Sequence, residues 1–552
     1  MKLKRKLYFL GSLLVVFWVG LLTNQHFVKA VQAATIEVSD PGDHQDIRPV
    51  IQNAVDSASD GDVIVLPAGE FVLTQRVSIT GKFVSIRGQG SDTGGTKLYR
   101  PNTVSDNDLE GDQWRYMFKF SCNSTQPSNI IVADIYFQGK NPGSDPQNPN
   151  SSAEDYGLGF VDCVDFVVAK NKLEYFGRAG ILVDHQPNLA SGLIFDNQFI
   201  HNVKWDPTIT QNRKVTLGYG ILLYSSSATS WANSPGFGTD NFIFIEDNYF
   251  FEHRHAVTGD SASRYVFRNN EVRDNFWGQA VDAHGGGLYG NAFSARAYEV
   301  YNNQLINDWT VIDEAPDLPS QPIDDFLAAG GQPCRAAPNE RYVHRAIALR
   351  GGEGLVYSNY IEGYKVGTVI TIESNPSSPD PNNYPYVNTS GLDTYQIGYL
   401  SGLNYGVDHS GAAMPYGDGD LFAWNNSFYR VCLREFQNDY PTTLLIENRD
   451  YHRGIAKPGY TAYTYPHPLR SLYNPPASPT PTPTDVPDPS NTPTPTPTDD
   501  PNDCSPNYSV ADFDHDCDVD EIDYQFMKVR FLTTDSAADI NGPAGTPDGL
   551  VD

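Results

Sequence analysis

Seven copies of one short pattern, apolar-x-x-Asn-x-apolar, constrain this chain more than any other feature. They are 168–173, 194–199, 245–250, 267–272, 300–305, 356–361 and 423–428. A short motif recurring every few tens of residues marks a solenoid, in which each repeat buries its apolar face only against its neighbours. Val, Ile, Phe and Tyr fill the short runs, which favours strands. The i, i+3, i+4, i+7 spacing of stacked helix pairs is not seen. Successive Asn positions (171, 197, 248, 270, 303, 359, 426) differ by 26, 51, 22, 33, 56 and 67. The short steps suit one coil of a parallel β-helix, 51 suits two coils, and the longer steps require inserted loops. Asn tolerates left-handed backbone and hydrogen-bonds to turn backbone, so stacked copies predict an Asn ladder.

A solenoid can extend without limit, which accommodates a chain of 552 residues. The formal net charge of −29 makes nucleic acid and anionic membranes poor partners. That charge is uneven: the first 34 residues carry five bases and no acid, whereas Pro475 onward carries 16 acids against two bases. Residues 1–33 read as a secretory signal, with a basic start (Lys2, Lys4, Arg5, Lys6), an apolar run of 15 at Tyr8–Leu22 and small residues around Val31–Ala33. The run is short for a bilayer span, the alternative being an uncleaved anchor, and no later segment could span a membrane. The expectation is a secreted, extracellular protein. Six cysteines fit that compartment; Cys504 with Cys517, and Cys122 with Cys163 across neighbouring coils, are candidate pairs.

Asp46–Asp56 predicts a short amphipathic helix with Ile47, Val50, Ile51, Ala54 and Val55 on one face, placed to cap the open end of the solenoid. Next come Gly61-Asp-Val-Ile-Val-Leu-Pro-Ala-Gly-Glu-Phe-Val-Leu73 and Val84-Ser-Ile-Arg-Gly-Gln-Gly90. This stretch resembles the start of pectate-lyase-like right-handed parallel β-helix proteins. Together with the Asn repeats the resemblance covers about residues 35–470, and implies an all-β right-handed parallel β-helix domain over 34–473. It implies the fold and no single reaction.

Residues 474–503 are rich in Pro, Thr and Asp and predict an extended, semi-rigid linker. In the tail, 504–552, acids recur at Asp512, Asp514, Asp516, Asp518, Asp520 and Asp523, the spacing of a calcium loop of the EF-hand type. Tyr524–Leu532 reads as a helix, and a second loop begins at Asp539. The tail resembles a dockerin, which implies calcium held by Asp512, Asp514, Asp516, Asp518 and Asp523 and a cohesin-bearing scaffold as partner. It departs from that pattern: Cys517 stands at the turn glycine, the second loop carries an insertion, and the sequence stops before that loop's last ligand.

The candidate chemistry lies on the strand-like runs beginning at Gly180, Gly220, His255, Gln279, Arg345 and Thr368. Laid over one another, their third position reads Leu182, Leu222, Val257, Val281, Ile347, Ile370 and points inward. Alternation then turns the fourth and sixth positions outward. The sixth reads His185, Ser225, Asp260, His284, Arg350, Glu373; the fourth contains Thr258, Asp282 and Thr371. Candidate catalytic residues are Asp260, Asp282, His284, His255 and Arg350. Candidate substrate contacts are His185, Arg264, Trp277, Tyr289 and Glu373. His253 is a further candidate base, and Arg254, Arg264, Arg268, Arg273, Arg296 and Arg345 are nearby cations. Paired carboxylates can hydrolyse a glycosidic bond. A base with Arg or calcium can instead cleave a uronate polymer by β-elimination. Both remain open, as does a non-catalytic carbohydrate-binding or adhesion solenoid.

Overall fold

The computed structural model describes residues 33–101, 103–105, 115–122, 126–140, 154–184, 191–205, 215–225, 234–273, 279–284, 294–307, 345–364, 366–370, 421–429, 431, 434–438, 447–448 and 451–473. The readings made for 1–32, the linker and the calcium-loop tail lie outside these residues. Among the described residues, no helix is long and apolar enough to cross a membrane.

The strands form three long parallel sheets, the architecture of a parallel β-helix. The first sheet runs from Thr35–Glu37 to His452–Arg453 and has 12 strands; the second runs from Gly69–Val72 to Ser427–Tyr429, and the third from Val77–Thr80 to Arg434–Asn438, with 10 each. Between the two end strands of the first sheet, each coil contributes one strand to each sheet. Ile243–Glu246, Tyr249–Phe251 and His255–Gly259 make one such coil. One short antiparallel pair, Lys204–Trp205 with Val215–Leu217, lies outside the three sheets.

The Asn residues form the predicted ladder between the first and second sheets. Each side-chain oxygen accepts both the backbone N–H and the side-chain NH2 of the Asn one coil before, from Asn171 on Asn197 (3.0 and 3.1 Å) to Asn359 on Asn426 (3.0 and 2.9 Å). The side-chain nitrogen of Asn248 also donates to Ile194 O at 2.9 Å, one coil back. The left-handed residue is not the ladder Asn but the one before it: Lys170, Asp196, Asp247, Asn269, Asn302, Ser358 and Asn425 all have φ between 50° and 56°. That turn lets the following Asn face inward, where its amide is hydrogen-bonded and, from Asn171 to Asn359, buried. The 51-residue step is one coil rather than two, because Ser191–Phe195 pairs directly with Ile243–Glu246. Its surplus residues are insertions on either side of the strand Tyr219–Tyr224.

Inside, phenyl rings stack from coil to coil. Phe120 lies on Phe160 at 4.9 Å, and Phe199 on Phe250 at 4.7 Å. The helix Arg48–Ser57 caps this core with Ile47, Ile51, Ala54 and Val55 buried. Residues 451–473 return along the outer face of the first sheet. There Tyr463, Leu469, Leu472 and Tyr473 pack on a cluster that includes Phe195, Phe244 and Val266.

Cys122 and Cys163 are joined across neighbouring coils, as their sequence placement allows. They lie just past the ends of the third-sheet strands Tyr116–Ser121 and Tyr156–Val161. The bridge closes a sequence separation of 41, for which chain entropy gives about 4 kcal/mol. Cys122→Ala/Cys163→Ala should therefore lower unfolding free energy by about that amount, read from urea denaturation; an unchanged midpoint would contradict it.

Candidate active site

The outer face of the third sheet carries the titratable side chains singled out in the sequence, Asp260, Asp282, His284, His255 and Arg350. Its register differs from the one read in sequence. Ile181 pairs with Ile221, Ile221 with Val257, Val257 with Val281 and Val281 with Ile347. The inward column is therefore Ile181, Ile221, Val257, Val281, Ile347, and the two earlier strands are offset by one residue from the sequence alignment. A one-residue slip exchanges the faces. Leu182 and Leu222 accordingly join an outer cluster with Tyr156 and Tyr219. The last strand is offset by two, since Thr368 pairs with Ile347.

The cause of the first slip is local. Gly180 and Gly220 are not strand starts but second positions, facing second-sheet rings. A Cβ on Gly220 would stand 2.7 Å from the Phe250 ring and 2.6 Å from Ala256 O.

The corrected outer column runs Asp184, Tyr224, Asp260, His284, Arg350. Asp184 pairs with Tyr224, Asp260 N–H donates to Leu223 O at 2.9 Å, His284 N–H to Gly259 O and Arg350 N–H to Ala283 O, both at 2.8 Å. Asp184 and Tyr224 are the members that the sequence alignment missed, because it placed His185 and Ser225 there. His185, Trp277, Tyr289, Thr371 and Glu373 lie outside the described residues. Arg264 begins a first-sheet strand around the corner, buried, with Nη1 donating to Ser234 O and Pro235 O at 2.7 and 2.6 Å. Arg268 and Arg296 are likewise buried in the first-sheet region, paired with Glu246 and Glu353.

Asp260, His284, Asp282, Arg350 and His255 do come together, in distinct environments. His284 Nδ1 is 3.8 Å from Asp260 Oδ2, and Ser261 N–H donates to Asp260 Oδ1 at 2.6 Å. His284 keeps a fifth of its side chain exposed. Asp282 projects outward yet is wholly covered. Arg350 Nε donates to its Oδ1 at 2.8 Å and Nη2 to its Oδ2, while Thr258 Oγ1 donates to Oδ2 at 3.0 Å. Burial alone would raise the Asp282 carboxyl, but Arg350, then His255 and His284, hold it well below the usual carboxylate range. Asp282 is thus a buried carboxylate whose two oxygens are held by Arg350 and Thr258. His255 is equally covered: Nε2 lies 4.0 Å from Asp282 Oδ2, Nδ1 lies 2.7 Å from Gln279 O, and the ring stacks on Tyr219 at 5.4 Å. His253 is a corner residue with Nε2 at 3.0 Å from Phe199 O, buried and away from solvent. Among the described residues, no three His, Cys, Asp or Glu side chains converge as a metal cluster.

No protein-family model matches the chain, and no curated protein matches it. Solved structures do. The catalytic domain of a GH87 alpha-1,3-glucanase in complex with nigerose shares 13% identity at a TM-score of 0.37, over 77% of this chain and 68% of that one. DFA-IIIase from Arthrobacter chlorophenolicus A6 in complex with GF2 shares 13% at 0.35, over 61% and 84%. ORF18 of Geobacillus virus E2 shares 13% at 0.30, over 62% of this chain and 58% of its own. These likenesses leave the chemistry to this chain's own side chains.

The buried histidines predict an acid-side loss of stability. Burial pushes His255 down to about 3 from 6.5, and His253 and His467 down to about 4. The folded state holds them neutral, while the unfolded chain takes up protons below pH 6.5. Their contribution is therefore full above that pH and is lost as pH falls towards the folded values, at about 1.4 kcal/mol per pH unit for each histidine. Carboxyls raised by burial, such as Asp184 and Asp247, act in the opposite direction. His255→Gln should flatten the loss between pH 6.5 and about pH 5 by on the order of 1–2 kcal/mol, read from denaturant midpoints. An unchanged slope would contradict the assignment.

Proposed function

We propose that the protein hydrolyses a glycosidic bond of a polysaccharide on the outer face of the third sheet, with Asp260 as the carboxylate that acts on the reacting centre. The observation that carries this reading is the column Asp184, Tyr224, Asp260, His284, Arg350. It is a line of titratable groups at one-coil steps, about 4.8 Å each, along an extended face suited to a linear polymer. Hydrolysis is favoured over β-elimination by Arg350. Elimination needs a cation turned towards the charge that develops beside the substrate carboxyl group. Two nitrogens of Arg350 instead hold Asp282. Asp260 and His284, at 3.8 Å, supply a carboxylate with an imidazole beside it.

The basic and apolar N-terminus, the Pro/Thr linker and the acid-rich tail extend the same proposal to a secreted enzyme, tethered through a calcium-loaded tail to a cohesin-bearing scaffold. The test is the full chain on a panel of polygalacturonate, alginate, xylan, alpha-1,3-glucan and inulin, reading reducing ends together with the ultraviolet absorbance of a new C=C bond. Reducing ends without absorbance are expected. A rise in both means elimination, and no cleavage anywhere on the panel removes the reading.

A further inference from the structure

We propose that Asp184 is the acid that protonates the leaving-group oxygen, partnering Asp260 from two coils away; this inference rests on the hydrolysis proposed above. Asp184 ends the strand Ala179–Asp184 and projects into the same outer column as Asp260, with Tyr224 between them. Two coil steps separate their backbones by about 10 Å. Carboxyl groups about 6.5–9.5 Å apart leave room for a water and invert the anomeric centre, whereas about 5–5.5 Å suits a covalent intermediate. Side chains projecting in parallel from that column keep about the same spacing, far beyond the covalent class and at the wide end of the inverting one. The other nearby carboxylate, Asp282, is one coil from Asp260, but Arg350 holds both of its oxygens, whereas Asp260, largely buried, keeps 8% of its side chain exposed beside His284.

The surroundings of Asp184 suit a proton donor. It is half-buried, and its Oδ1 is buried with no hydrogen-bond partner among the described residues. On its N-terminal side it faces Asp162, Lys119 and Tyr116, and on the other side Tyr224, with Asp260 beyond. Burial and then Asp162 raise its carboxyl, with Lys119 opposing. Asp260 has the contacts of an acceptor, from Ser261 N–H and alongside His284.

The step balances without a further reactant. The protonated Asp184 gives its proton to the glycosidic oxygen as the bond from that oxygen to the anomeric carbon breaks. A water attacks the opposite face of the same carbon and forms the new bond while Asp260 takes its proton. Asp184 ends as carboxylate and Asp260 as the acid, and exchange with solvent resets both.

The test compares wild type, Asp184→Asn and Asp184→Glu on the panel polymer that wild type cleaves. Reducing ends are read across the pH range, and the newly formed anomer is read by proton NMR at early times. Asp184→Asn should keep the wild-type melting temperature and KM, lose about 10²–10⁴-fold in kcat, and lose the alkaline limb of the pH profile. Asp184→Glu should keep that limb with part of the activity, and the wild-type product should be inverted. An Asp184→Asn rate within about tenfold of wild type, a retained alkaline limb, or retention of configuration overturns the role of Asp184 while hydrolysis stands. No cleavage of any panel polymer by wild type overturns both.

Discussion

Asp260→Asn is expected to lose about 10²–10⁴-fold in kcat on the cleaved polysaccharide, with its melting temperature nearly unchanged. The asymmetry follows from how the residue is held. Asp260 follows the third-sheet strand His255–Gly259 and precedes Ser261 and Ala262, both left-handed, with φ of 51° and 65°. Its Oδ1 takes the Ser261 N–H at 2.6 Å, a bond that the carbonyl oxygen of Asn can also accept. The backbone ladder around it, Asp260 N–H to Leu223 O and Ser263 N–H to Asp260 O, does not involve the side chain. What Asn cannot do is accept a proton from water at neutral pH. Asp282→Asn should behave differently: the covered carboxylate that Arg350 and Thr258 share is lost, so stability falls along with rate. Circular dichroism melts beside initial rates separate the two. Equal losses of rate without any difference in melting would contradict the division of labour between Asp260 and Asp282.

The second large effect is on stability and lies on the opposite side of the coil. Glu246 and Arg268 are both fully buried, paired at 2.7 Å. Arg268 also donates Nη1 to Tyr463 O at 2.8 Å and Nη2 to Thr464 O at 2.9 Å, and Glu246 Oε1 accepts from His467 N–H at 3.0 Å and Arg470 Nε at 2.7 Å. This pair is therefore the clasp that holds the returning segment 460–473 on the first sheet. Glu246→Leu leaves the buried Arg268 without its carboxylate and should lose about 3–5 kcal/mol; Arg268→Met should lose less, because Arg470 Nε still holds Glu246 at 2.7 Å. The double variant should lose less than the sum, because no unpaired charge remains between them. The same variants should expose the segment after Tyr460 to protease under native conditions. Additive losses, with the segment still protected, would contradict the clasp.

How far the sequence speaks depends on which residue types carry the signal. The Asn ladder was legible because an amide that bonds to backbone on both sides has few substitutes, so one letter recurs through the seven coils from Asn171 to Asn426. The capping helix was legible from Ile47, Ile51, Ala54 and Val55 at helical spacing. Register was not legible at Gly180 and Gly220, which look like strand starts but are small only because the Phe199 and Phe250 rings occupy the space beside them. Aligning on the β-branched column Ile181, Ile221, Val257, Val281, Ile347 would have recovered it and brought Asp184 into line. The 51-residue step misled because length does not distinguish a second coil from insertions within one. Neither the burial of Asp282 nor its bonds to Arg350 can be read from spacing, since both depend on side chains from adjacent coils.

The most direct test of the central claim is the crystal structure of Asp260→Asn soaked with an oligosaccharide of the polymer that wild type cleaves. The account predicts a sugar chain on the outer face of the third sheet, with a glycosidic linkage within hydrogen-bond reach, about 3 Å, of the residue at position 260 or of a water bound to it. A sugar seated on the second sheet, or on the first sheet beside the returning segment, would contradict it.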